Sequence, residues 1–566
     1  MIAKLHVLLL GVLASSTSAW ALSPDSLRGV IERETQRAYA QLSLDDSGPP
    51  WRISVDWVDV ATAAYGADFG ALMMKHLALP EEPSRYLYTE VRQGDEDFDS
   101  GDLDIGRGAV QRSLPLELDE WNLARALWLQ LDEGYKSAVS DLTQKTMALQ
   151  GEVLDKPAVA PFVPPVAHEW PELELDPDWV RETTLALSGS VRELEGLEDA
   201  FSGGSQSSSR MFSYSTEGTW LTRVYTDVFF RVQLKARAAD GTLLTADRSW
   251  VGRRRDQLPS REEMVAEVEA MAASLLETVE APLLGDYIGP VLLEEPASRE
   301  LFRQLLLPEI VGTPPPVSAN RFLNEGGPQR PRQARIGRRL LPFGWSVIDD
   351  ASQDTPGSYE WDYDAVSPER VEVVLDGVLR SPLMSRIPQD EASRSTGHGR
   401  SRNTLRREAM PGVVHVLPPR TFSTRRLERK ALRAAAAVGR DSVLVISRLQ
   451  APAFVELVEL HFSGDEAPAG LSLPNQAYLL HRDGRREVVR LGSFVGADRR
   501  ALRDILAAGH PGEVQGVMDK PPSTLRFSAS WSEGVQSGWS VPPVLISELE
   551  LVDRSGGEKR VLPIRP

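Results

Sequence analysis

Leu118, Trp121, Trp128, Leu131, Tyr135, Val139 and Leu142 recur at three- and four-residue steps through LELDEWNLARALWLQLDEGYKSAVSDLTQKTMALQ (116–150). That period predicts an amphipathic helix, which Gly134 either bends or splits. Pro24 to Ser43 reads as an earlier helix with Ser23 or Asp25 as its cap, and Trp179 to Phe201 as a later one closed by Gly203 and Gly204. SREE (260–263) is a capping box that opens a helix running to about Val279. Between the helices the period drops to two. WRISVDWVDV (51–60) alternates as a half-buried strand does, and 84–94 sets Tyr86, Tyr88 and Glu90 on one face and Leu87, Thr89 and Val91 on the other. GADFGALMMKHLAL (66–79) has no clear period and is assigned no element.

Prolines in KPAVAPFVPPVAHEWPELELDP (156–177) forbid helix and predict a traverse over the surface. From Ser208 to Arg253 the pattern is a hairpin with Asp240-Gly241 at its turn. The stretch Arg321 to Arg339 reads as an exposed loop. Beyond Leu340 short strands dominate: 344–349, 370–381, 412–418, 442–449, 453–462, 476–494 with Asp483-Gly484 at a tight turn, and 540–553. The expected fold class is α+β. A mixed α/β N-terminal and central region (22–285) precedes a C-terminal antiparallel β-rich domain (286–566), barrel-like or sandwich-like.

Composition narrows the function. With 566 residues, 42% hydrophobic and 25% charged, the chain is long enough for more than one packed unit. A net charge of −18 disfavours nucleic acid and an anionic membrane face as partners. Lys4, the apolar run Val7–Ala14 and Ala19-Trp20-Ala21 make 1–21 a signal peptide cleaved after Ala21. No later run reaches the length of a membrane span, so no membrane insertion is expected and the mature chain belongs in the periplasm or outside the cell. The absence of cysteine excludes disulfides, thiolate metal sites and cysteine nucleophiles.

The chemistry visible in the residues is sparse. Asp95, Asp97, Asp99, Asp102 and Asp104 in GDEDFDSGDLDIG invite calcium, but Ser100 and Gly106 stand where a calcium loop needs glycine and glutamate, so a solvated turn is expected. No two of the eight histidines lie three to five residues apart, so no local pair can hold zinc. In RSTGHGRSR (394–402), Gly397 frees the backbone while His398 and Arg400 supply donors for a peptide or carboxylate; the alternative is a polar surface connection.

Several segments in order resemble the TldD/PmbA family, formerly called modulators of DNA gyrase. They are RYLYTEVRQGDEDFD, ALWLQLDEGYKSAVSDLTQKTMAL, YIGPVLLEEPASRELFRQLL, IGRRLLPFGWSVIDDASQDTPGSYEWDYD, VVLDGVLRSPLMSR, STGHGRS and VPPVLISELEL. The resemblance implies kinship with metallopeptidases that act on peptides or unfolded segments inside a dimer cavity. It also implies that zinc, in catalytic members, is held by a histidine-glutamate-x-x-x-histidine motif after the strand that opens the C-terminal domain. Here Glu294, Glu295 and Arg299 occupy those positions, and only the glutamate is kept. The resemblance therefore points to the non-catalytic branch, with no cofactor and no catalytic or metal residue of its own. Such a chain would be a peptide-binding partner, as homodimer or heterodimer, of a zinc-bearing TldD-like peptidase. The alternative is a stand-alone peptide-binding or scaffold protein of the envelope, and an active metallopeptidase is the least favoured reading.

Overall fold

A computed structural model describes residues 22–44, 46–73, 83–103, 108–149, 158–314, 316–317, 334–389, 394–400, 407–451, 471–519 and 534–553. The expected leader, the expected strand at 453–462 and most of the expected loop at 321–339 lie outside these residues.

The N-terminal half begins with helix α1 (Pro24–Gln41), capped by the Ser23 hydroxyl, which accepts from the Ser26 amide at 3.1 Å. Strand β1 (Arg52–Asp68) follows, then the short β2 (Ala71–Leu72), β3 (Ser84–Arg92) and β4 (Ala109–Leu114). Helices α2 (Glu120–Leu149) and α3 (Pro177–Gly189) lead to β5 (Leu197–Ser215), β6 (Trp220–Arg237), β7 (Leu243–Gly252) and helix α4 (Arg261–Glu280). The strands form one antiparallel sheet in the order β4-β3-β1-β5-β6-β7, with β2 folded back on β1.

Alternation explains the two faces of this sheet. Ile53, Val55, Trp57, Leu87, Phe212 and Tyr214 pack under α1 and α2, while Val228, Phe230, Val232 and Trp250 pack under α3 and α4. The opposite face carries Ser54, Asp56, Tyr88, Glu90, Ser213, Arg223 and Tyr225, which the register sets side by side. That polar face receives loops of the C-terminal half.

The helix expectations need correction here. Helix α2 buries Leu123, Leu127, Leu131, Tyr135 and Ala138, and leaves Trp121 68% exposed, so its inward stripe is turned from the one expected. Gly134 does not split it, since the helix runs unbroken through that position. A Cβ there would stand 3.1 Å from Val91 and 3.2 Å from the Gly108 carbonyl, so glycine lets the helix approach β3 closely. Helix α3 ends at Gly189, and Gly203 and Gly204 lie inside β5. The capping box is present in full: the Glu263 amide donates to the Ser260 hydroxyl at 3.2 Å, and the Ser260 amide to Glu263 at 2.8 Å.

The C-terminal half runs β8 (Tyr287–Leu293), α5 (Glu295–Leu305), α6 (Leu307–Ile310), β9 (Ser346–Asp349), β10 (Val371–Leu375), β11 (Val378–Leu379) and β12 (Val413–Leu417). Then come α7 (Thr424–Ala437), β13 (Ser442–Leu449), β14 (Pro474–His481), β15 (Arg486–Val488), β16 (Ser493–Val495), β17 (Ile505–Ala508), β18 (Gln515–Asp519), β19 (Val535–Ser540) and β20 (Val544–Val552). One sheet has the order β11-β10-β9-β12-β19-β18; the other is β15-β14-β13-β8-β20-β16, with β17 beside β20. The expected all-antiparallel pattern is broken at two places, where β12 pairs with β19 and β13 with β8 in parallel.

Val347, Val373, Val414 and Trp539 from the first sheet share a core with Val291, Leu293, Leu444 and Ile546 from the second, and α5 adds Leu301 and Phe302. Each such fully buried side chain contributes about 1.5 to 3 kcal/mol. The other face of the second sheet presents Leu292, Val443, Val445 and Leu545 to Leu427, Ala431 and Ala435 of α7. The chain is thus an α+β protein with three mostly antiparallel sheets.

Candidate functional site

The junction of β8 and α5 holds the three positions at which the sequence resemblance puts a metal motif. Glu294 is the residue before the helix, and its amide donates to the Ile446 carbonyl at 3.0 Å, so pairing to β13 continues past β8. Pro296 sits in the first turn of α5, where its missing N–H costs nothing. The Glu294 carboxylate accepts from the Tyr478 hydroxyl at 2.9 Å. Burial and then the Glu294 charge hold that phenol above its usual range.

Glu295 accepts from Arg299 Nη1 at 2.7 Å across one helical turn. Arg299 is buried, which pulls its guanidinium below the ordinary value against the opposing pull of Glu295. A guanidinium has no lone pair to give a metal. With Glu295 committed to that cation and Glu294 to Tyr478, these residues do not fit zinc. Among the described residues no group of three or more histidine, aspartate or glutamate side chains is placed to hold a metal ion.

The aspartate-rich turn is built for structure as well. Asp95 accepts from the amides of Asp97 and Phe98, and Asp99 is fully buried against Arg92 at 3.0 Å. Asp104 lies outside the described residues.

The loop 394–400 is buried from Ser395 to Arg400, with only Arg394 exposed. Gly397 has φ +74°, and a Cβ there would fall 2.3 Å from the Ser367 carbonyl, so only glycine fits. His398 is fully buried: Nε2 faces Asp349 Oδ1 at 3.0 Å, and Nδ1 faces the Thr396 carbonyl at 2.9 Å. Asp349 also accepts from the Gly412 amide at 2.9 Å. Arg400 is 7% exposed, with its guanidinium 4.1 Å from the Tyr359 ring centroid and a donor on the Pro411 carbonyl. Residues 401–406 lie outside the described set.

Around this loop the two halves of the chain are joined through buried charge. Asp362 accepts from the amides of Val366 and Gly399, both at 2.8 Å. Burial and the neighbouring Asp364 charge push its carboxyl well up. Tyr225 of β6 donates to the Trp361 carbonyl at 3.0 Å, and its ring lies 4.5 Å from that of Tyr363. Arg223 donates to the Tyr363 carbonyl at 3.1 Å, while Arg407 bridges that carbonyl and Asp56 of β1. At the edge of the seam Arg386 grips Glu217 bidentately at 2.7 and 2.9 Å, and Arg52 meets the same carboxylate at 2.6 Å.

Comparison with known proteins fits this architecture. The family profile described as the PmbA/TldA metallopeptidase C-terminal domain matches residues 289–465, from within β8 onward. The likeness to the PmbA/TldD family in sequence thus lies in this C-terminal segment, under a third of the chain. Three solved structures share the TldD/PmbA fold. TldE from Thermococcus kodakarensis has a TM-score of 0.58 at 11% identity, over 93% of this chain and 100% of that one. A Thermotoga maritima protein named as a modulator of a DNA gyrase has 0.57 at 15% identity, over 92% and 100%. Another from Bacteroides thetaiotaomicron, also named as a modulator of DNA gyrase, has 0.52 at 10% identity, over 93% and 98%. At these identities the likeness speaks for the fold. No curated protein matches the chain.

Within this chain, Glu294, Glu295 and Arg299 do lie together, at one strand–helix junction. Gly397, His398 and Arg400 form a second group, buried in the seam. Sequence reading misses Asp349, Tyr359 and Asp362, which complete that group, and Glu217, which lies at the edge of the seam. The one signal for the first three is the abundance of acids and tyrosines in DDASQDTPGSYEWDYD, which has no period to interpret; Glu217 has none.

Proposed function

We infer that this chain is a non-catalytic member of the metallopeptidase-related TldD/PmbA family. In this reading it is exported to the periplasm after cleavage behind Ala21, and there partners a zinc-bearing relative whose peptide substrate it helps to enclose. The observation that carries the reading is the ion pair of Arg299 with Glu295 at 2.7 Å. A permanent cation stands at a ligand position and occupies the one acid that a peptidase would need as general base.

Affinity isolation of the full-length chain from its native envelope, followed by peptide hydrolysis assays, tests this. The expected result is a co-purifying subunit of the same fold with one zinc, and hydrolysis that needs that subunit. Purified chain that cleaves peptides alone with one tightly held zinc would overturn the reading.

A further inference from the structure

Helix α7 is basic although the chain as a whole is acidic. Among residues 424–437 there are five cations, Arg425, Arg426, Arg429, Lys430 and Arg433, against one carboxylate, Glu428. The helix buries Leu427, Ala431 and Ala435, spaced by four, on the second C-terminal sheet. Arg425, Arg429 and Arg433 are also spaced by four but start two residues earlier, which turns them about 200° away, straight into solvent. All three are exposed, as is Arg426, and none of the four is ion-paired among the described residues. Arg429 reaches only the Arg425 carbonyl, at 3.3 Å. The single acid is taken up by Arg486 at 3.1 Å. Like charges four apart destabilise a helix, so the stripe works against the element that bears it.

Beside the stripe, Phe422 lies 4.9 Å from the Arg420 guanidinium and 4.5 Å from Lys430 Nζ, giving the patch an aromatic end flanked by charge. The patch covers the face of the sheet opposite to that of α5, away from Arg299.

We propose that the outer face of α7 is a docking surface for a carboxylate-rich segment of a partner protein. Guanidinium forks suit carboxylates, which they bind in pairs of parallel hydrogen bonds. A lipid surface fits less well, because a membrane-bound helix inserts an apolar stripe and that of α7 is already used on the sheet. A long polynucleotide or a broad anionic bilayer would also extend past a helix of about 21 Å and meet a body whose overall charge is −18. A short acidic segment avoids both conflicts. This surface does not depend on the peptidase-partner reading above.

The test uses the full chain and a fluorescent peptide of about eight glutamates, whose extended length of roughly 27 Å spans the helix. Binding should weaken about tenfold or more as salt rises from about 0.05 to 0.3 M. Arg425→Glu with Arg429→Glu and Arg433→Glu should weaken it by about tenfold or more at low salt, with circular dichroism unchanged. The three glutamine substitutions should give a smaller loss, and they carry the test if the glutamate variant does not fold. Arg500→Glu, at an exposed arginine elsewhere, should leave binding as it is. Three results overturn the proposal: no binding by the intact chain, equal loss from Arg500→Glu, or undiminished binding by the triple variants. Tighter binding of phosphatidylglycerol vesicles or duplex DNA than of the peptide would overturn it as well.

Discussion

His398 and Asp349 face each other at 3.0 Å with both side chains fully sealed from solvent. Forty-nine residues separate them, so the contact fastens the 394–400 loop to the end of β9. The second carboxylate oxygen is held by the Gly412 amide at the start of β12. Replacing His398 by alanine leaves a buried carboxylate short of a partner, which costs about 3 to 5 kcal/mol. His398→Ala should therefore lower the urea midpoint strongly. A variant that folds normally and loses only peptide binding would instead support the ligand-contacting role read from the sequence.

Glu217 at the β5–β6 turn clamps Arg52 and Arg386, which are almost wholly buried. Burial pushes its carboxyl up, but the two guanidiniums more than offset this and hold it at about 2. A depressed folded-state value means stability that is fully present above about 4.5 and is lost as pH falls toward 2. Glu217→Gln should cost about 3 to 5 kcal/mol near neutrality, because it leaves two buried cations poorly matched. Between pH 5 and 2 the parent should lose stability faster than the variant, as denaturant titrations at several pH values would show. Equal slopes would mean that the clamp adds nothing.

How far the fold was legible follows from where its information lies. Helices α1 and α4 announce themselves through local caps, Ser23 and the Ser260–Glu263 box, and the structure keeps both. The inward stripe of α2 is not legible, because Trp121 and Trp128 compete with Leu123 and Leu127 for the same period. Only packing against β3 decides between them. Strand β5 is hidden by SGGSQSSS, a poor strand former that is held on both sides by β1 and β6. Helix α7 has one large residue, Leu427, on its buried stripe, so its period is faint. The junction at 294–299 is local in sequence and is found by motif position. The seam joins Asp56 to Arg407 and Glu217 to Arg386, pairs far apart in the chain that no spacing rule can connect.

Restoring histidines alone should not restore a zinc site. Glu294→His with Arg299→His frees Glu295 but removes the acceptor of Tyr478 and supplies no cysteine as third ligand. Zinc needs three protein ligands with an oriented second shell. The double variant should bind zinc no tighter than about micromolar in dye competition, and the parent should carry no stoichiometric zinc by elemental analysis. Tight stoichiometric binding by either protein would contradict the geometry.

Asp247 gives a pH dependence of the opposite sign. It sits on β7, where Oδ1 accepts from Asn475 at 3.0 Å and Oδ2 from the Ala451 amide at 3.4 Å, so it stitches the N-terminal sheet to β14 and to the chain just beyond β13. Burial, and then the nearby Glu300 charge, push its carboxyl up to about 7, with Arg448 and Arg248 opposing only in part. Below about 3.8 both folded and unfolded chains keep the proton, and burial carries no charge penalty. From there to about 7 the unfolded chain releases the proton while the folded chain retains it, so stability falls as pH rises; above 7 the penalty is constant. Asp247→Asn keeps an acceptor for Asn475 and cannot ionise. It should be close to neutral at pH 4 and stabilising by on the order of 2 to 4 kcal/mol at pH 8. Thermal or denaturant unfolding of both proteins across that range would show the difference growing with pH. A difference independent of pH would mean that Asp247 is ionised in the folded chain throughout, with Arg248 and Arg448 as its true counter-charges.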